Sequence, residues 1–119
     1  MGNGMTLFAL MVVFTAHWLG DFVWQTDEMA LNKSSDNGWL FAHCAVYSMT
    51  FIWLGFIFWI LNFTIHFCVD YVTSRINARL WAANRRHDFF VMVGLDQLIH
   101  IVTLTTLFYY TWVLPLECR

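Results

Sequence analysis

HWLGDFVWQTDEMALNKS, residues 17–34, begins inside an apolar run long enough to cross a bilayer, yet carries a histidine and an aspartate one helical turn apart. The run extends from Met5 to about Trp24, close to the ~20 residues a spanning helix needs. Ionisable groups are costly in hydrocarbon, so those within a span face the protein interior and find partners there. His17 and Asp21 therefore predict a polar interior, and the rest of the chain can be searched for residues to meet them.

Composition agrees with a membrane setting. Only 12% of the 119 residues are charged and 60% are hydrophobic, whereas a soluble domain carries about 25% charge. The net charge of −2 gives no reason to expect a nucleic-acid partner. Aromatic side chains suit bundle filling and interfacial anchoring. Cys44, Cys68 and Cys118 lack metal-finger spacing, and the first two lie in apolar runs as reduced packing residues. The first apolar run has no basic lead and contains His17 and Asp21, which argues against a cleavable signal peptide.

After the polar loop Gln25–Gly38, the apolar stretch 39–72 is too long for one span and has one helix breaker, Gly55. A tight hairpin turning near Gly55 is expected, its second and third helices short. The third helix continues into TSRINARLWAANRR, and a last span runs from about Phe89 to Leu114, where Pro115 stops it. The expected fold is all-α: a polytopic membrane protein, one domain over residues 1–119, built as a four-helix transmembrane bundle. Lys33, Arg75, Arg79, Arg85 and Arg86 share one side and only Arg119 the other. The positive-inside rule then puts both termini on the non-cytoplasmic side, in a membrane such as the bacterial inner membrane.

Depth follows from a rise of about 1.5 Å per residue. Counted from the outer side, His17, His43, His66 and His100 all lie roughly 17–20 Å deep, one on each helix. Asp21 follows His17 by four and Asp70 follows His66 by four, whereas Asp96 precedes His100 by four. The order inverts in the one helix whose direction requires it, so every aspartate falls on the cytoplasmic side of its histidine and on the same face. Such a set suits a divalent metal ion, Zn²⁺, Mn²⁺ or Fe²⁺, or two of them, in the bundle core. The expected ligands are His17, Asp21, His43, His66, Asp70, Asp96 and His100. A polar network that merely ties the helices together, or an ion path, is the competing explanation. Bis-histidine haem accounts for the histidines and not the aspartates. His87, in NRRHD, reads as a solvated loop residue.

The blocks HWLGDFVWQTDEMALNKS, HCAVY, HFCVDY and DQLIH, in that order, resemble small membrane proteins of the domain-of-unknown-function family 3307, found in bacteria and their phages. The interval between His43 and His66 is short for that family. The resemblance implies that the polar blocks belong together and carries no activity. By analogy alone, the pattern is also similar to predicted membrane-bound metal-dependent hydrolases.

Three functions fit these residues. The first is a metal-dependent hydrolase acting on a membrane lipid or phosphoester from the cytoplasmic side. Asp21, Asp70 and Asp96 would be its catalytic carboxylates, and Arg75, Arg79, Lys33 and Gln25 would hold substrate, with Thr26 at the entrance. No nucleophilic Ser or Cys arrangement is visible, so an activated water is the chemistry these residues motivate. The second is a cation or proton channel or transporter, which at this size needs a homo-oligomer. The third is a membrane interaction protein in which the ion staples the helices without catalysis.

Overall fold

The computed structural model describes residues 2–119; Met1, the first residue of the expected domain, lies outside them. Six α-helices follow in order: α1 Asn3–Trp18, α2 Asp27–Asn32, α3 Asn37–Met49, α4 Phe56–Ala82, α5 Arg86–Phe108 and α6 Leu114–Glu117. A π-helical turn, Leu19–Val23, extends α1, and another, Tyr109–Val113, joins α5 to α6. Among the described residues there is no strand.

Three helical stretches are long and apolar enough to cross a membrane: Thr6–Val23, Phe56–Ala82 and Arg86–Glu117. The expected fourth is shorter. Helix α3 has 13 residues, about 20 Å at 1.5 Å per residue against a hydrocarbon core of about 30 Å. Its start is fixed at Asn37, within the 25–38 segment, which folds on itself. Thr26 caps α2 by accepting from the Met29 N–H at 3.2 Å, and Asp36 caps α3 by accepting from the Gly38 and Trp39 N–H groups. Its end comes early, at Met49, where a 3₁₀ turn Ile52–Leu54 takes over. The following helix is correspondingly long, 27 residues where a short one was expected. Gly55 makes the reversal at φ 96° and ψ 163°, a conformation open essentially to glycine alone.

Pro115 does not end the last helix. The N–H of Leu114 bonds to the carbonyl of Tyr109, closing the wide turn, and Pro115 falls in the first turn of α6. A proline N–H is not needed there.

The molecule is turned inside out. His17, Asp21, His43, His66, Asp70 and His100 are buried, while Phe8, Met11, Phe56, Ile57 and Leu98 are exposed. On the Gly55 side of the histidines, Val13, Tyr47, Phe51, Phe58, Leu104 and Phe108 form an apolar core. On the other side the polar interior opens outward. Gly20 lets the end of α1 approach α3 closely: a Cβ there would stand 3.0 Å from both the Thr50 and Tyr47 side chains. That approach sets Asp21, the next residue, among the residues of α3 and α4.

Candidate metal centre

Four donor atoms from three elements converge. Nε2 of His43, on α3, lies 3.2 Å from Nε2 of His66, on α4. The same atom is 3.2 Å from Oδ1 of Asp21 and 3.1 Å from Oδ2 of Asp70. His66 Nε2 is 3.5 Å from Asp21 Oδ1 and 3.7 Å from Asp70 Oδ2. Around a tetrahedral ion with bonds of about 2.0–2.1 Å, neighbouring donors stand roughly 3.3–3.4 Å apart. The five distances bracket that edge, so His43, His66, Asp21 and Asp70 are positioned to hold a metal ion.

A second group adjoins the first. Asp21, Asp96 and His100 also bring donors within reach of one ion. His100 Nε2 is 2.9 Å from Oδ1 of Asp70 and 3.3 Å from Oδ1 of Asp96. Asp21 belongs to both groups, and Asp70 touches the second through its other oxygen.

The rings are fixed by stacking. His66 lies between Tyr47, at a centroid distance of 3.7 Å, and His100, at 4.2 Å. Among the described residues Nδ1 of His43 and of His66 find no hydrogen-bond partner, so the stack orients the second ring in place of the usual outer hydrogen bond.

His17, expected among the ligands, stands one layer out. Its Nδ1 lies 2.9 Å from the Tyr47 hydroxyl and its Nε2 lies 2.9 Å from Oε1 of Gln97. A carboxamide oxygen only accepts, so Nε2 carries the proton and Nδ1 accepts from Tyr47. Gln97 then spends both its N–H bonds on carboxylates, Asp21 Oδ2 at 3.0 Å and Asp96 Oδ2 at 3.2 Å. This leaves Asp21 Oδ1 and Asp96 Oδ1 facing the histidines. Sequence reasoning missed Gln97. Its signal was its position beside Asp96 in DQLIH, where a polar residue sits within a span.

Lys33 reaches the centre from the loop after α2. Its ammonium donates to Oδ2 of Asp70 at 2.9 Å and approaches His43 Nε2 at 3.5 Å. Burial disfavours its charge, but the carboxylates of Asp70, Asp21 and Asp96 outweigh burial and raise its pKa above the ordinary lysine value. Three carboxylates against one ammonium leave two negative charges when the imidazoles are neutral. One divalent cation cancels them, which is what a desolvated site requires.

A cavity of about 490 Å³ reaches this centre, with Asp21, Asp96, Gln97, Lys33 and Gln25 in its wall. Arg75 and Arg79 do not line it. Arg75 lies over the Tyr71 ring and donates to Asn37 Oδ1 at 2.7 Å, and Arg79 is exposed. Thr26 is occupied as the α2 cap. His87 lies exposed in the first turn of α5 rather than in a loop. Cys44 is buried and free, and Cys68 and Cys118 are free on the surface.

No curated protein and no solved structure matches the chain. The family described as Protein of unknown function (DUF3307) matches residues 9–118, a segment containing every donor of the centre, and the chain belongs to that family.

Proposed function

We propose that this protein is an integral membrane hydrolase that uses a divalent metal ion to cleave a phosphoester presented at the cytoplasmic leaflet. The observation that carries the reading is that Asp21, common to both donor groups, and Asp96 lie in the wall of the cavity. A centre that only held helices together would have no reason to open. Two imidazoles and two carboxylates at tetrahedral spacing favour Zn²⁺ among the candidate ions. When bound, the ion lowers the pKa of water and offsets charge on phosphoryl oxygens.

The chain's own groups do the rest. Asp96, 13% exposed and held by the Thr73 hydroxyl at 2.6 Å, takes the proton of the attacking water. Lys33 has N–H bonds to spare beyond Asp70 and meets the incoming phosphate. Helix α3, too short to span alone, packs against α4 and the turn that extends α1, and completes the bundle as its fourth member. The basic residues at the cavity end orient that end to the cytoplasm.

The test is elemental analysis of the detergent-purified protein together with phosphomonoesterase and phosphodiesterase assays. Stoichiometric metal and an activity abolished in both His66→Ala and Asp70→Asn are expected. Activity that survives both substitutions overturns the reading.

A further inference from the structure

Beyond the metal ligands, three residues that line the cavity each carry a buried oxygen with no hydrogen-bond partner among the described residues: Oε1 of Gln25, Oγ of Ser74 and Oδ1 of Asn77. Unpartnered buried polar atoms are rare in native proteins and costly. Three in one wall mark a surface made for something that bonds to them.

Ser74 is the most telling. Hydroxyls on membrane helices usually satisfy themselves by donating to the carbonyl four residues back. Thr15, Thr64, Thr73, Thr103 and Thr105 all do so here. Ser74, 9% exposed and on the same helix as Thr73, does not. Its hydroxyl is left without a partner beside the cavity that Ser74 lines.

Position along α4 gives the scale. Ser74 and Asn77 follow Asp70 by four and seven residues, on the same face. They stand about 6 Å and 10 Å beyond it along the axis. The two carboxamides each donate and accept, and the serine hydroxyl does both, so they match alcohol groups rather than a second anion. Phe22, Leu31, Trp81 and Phe89 give the same cavity an apolar share of its lining.

We infer that this wall is a recognition subsite for a polyol phosphoester, whose hydroxyls are bound by Gln25, Ser74 and Asn77 while its phosphoryl group lies toward Lys33 and Asp21. The assignment rests on the reaction proposed above and deepens it by naming the alcohol side of the substrate. The same chemistry occurs in a lipid with a glycerol-type head and in a soluble polyol phosphate.

Native mass spectrometry of the detergent-solubilised protein separates the cases. Phosphatidylglycerol and phosphatidylethanol share charge and acyl chains, and only the first has head hydroxyls. Retention of phosphatidylglycerol is expected to be at least fivefold stronger, as one or two net hydrogen bonds imply. Ser74→Ala and Asn77→Ala each reduce that preference about fivefold and leave phosphatidylethanol retention unchanged. Calorimetry with glycerol 3-phosphate and ethyl phosphate is the soluble arm: discrimination there as well extends the site to free polyol phosphates, and discrimination only with lipids assigns it to the membrane source. Equal retention of the two lipids together with equal binding of the two soluble esters by the wild-type protein overturns the subsite. Metal content measured on the same samples keeps the layers apart. Stoichiometric metal without discrimination removes the subsite alone, and absent metal removes the reaction beneath it.

Discussion

The Nε2 atoms of His43 and His66 face each other across 3.2 Å in a buried site, each also within 3.7 Å of the same two carboxylates. Two unprotonated imidazole nitrogens repel at that separation unless a proton or a cation lies between them. Removing either ring is expected to weaken metal binding by more than the roughly 10–100-fold typical of an outer partner. Competition with a chelating dye, on His43→Ala and His66→Ala, measures it; a loss below tenfold would show that these rings are not ligands.

Charge balance predicts stoichiometry. One divalent ion neutralises the resting centre, and a second at Asp21, Asp96 and His100 needs an anion to accompany it. Elemental analysis should find one ion per chain alone and two in saturating inorganic phosphate. Two ions without phosphate would contradict this accounting.

Gln97 is a positioning residue. Its amide ties Asp21 to Asp96, and His17, itself held by Tyr47, holds the amide. Gln97→Ala should reduce metal affinity by about 10–100-fold. Gln97→Glu should lower the melting temperature of the metal-free protein more than Gln97→Ala does, because a carboxylate cannot donate to Asp21 and Asp96 and adds a third negative charge beside them. If Glu proves the milder change, the amide does not do what its contacts indicate.

Lys33 and the metal compete for the same negative charge. Lys33→Gln should lower the melting temperature of the metal-free protein, since Asp70 loses its 2.9 Å partner. The same substitution should tighten metal binding by removing a neighbouring positive charge. Opposite signs in thermal unfolding and dye competition are the expected signature; weakened metal binding would make Lys33 a support of the site.

Backbone geometry supplies a prediction independent of metal. Gly55→Ala should destabilise the protein by roughly 1–3 kcal/mol, the usual magnitude for a side chain forced into this region. Denaturation in mixed micelles reports it, and an unchanged midpoint would mean that the turn relaxes.

Much of this was legible in residues. The four-residue interval between His and Asp, reversed in the last helix, marks helix direction and interior face together, and the histidine rings do converge, with His66 and His100 at 4.2 Å. Turn chemistry identified Gly55. Helix length was not legible, because Asp36 capping α3 and the early 3₁₀ turn at Ile52 are local hydrogen-bonding outcomes within a uniformly apolar stretch. His17 looked equivalent to the other histidines because depth alone cannot tell which residue meets its nitrogens. Tyr47 and Gln97 meet them, from helices far away in sequence. Lys33, a loop residue, reaches the centre only because α2 folds back, and no periodicity announces that.

The wide turn at Leu19–Val23 carries a consequence for how such a protein can change. A π turn is an α-helix with one residue too many. Excising the Asp21 codon restores ordinary pitch and leaves the flanking turns in phase, because the wide turn had absorbed the extra residue. His43 and His66 then lose that carboxylate, yet the long apolar helix survives. Gain or loss of the shared carboxylate is thus one insertion or deletion away, a far shorter mutational path than replacing a ligand set residue by residue.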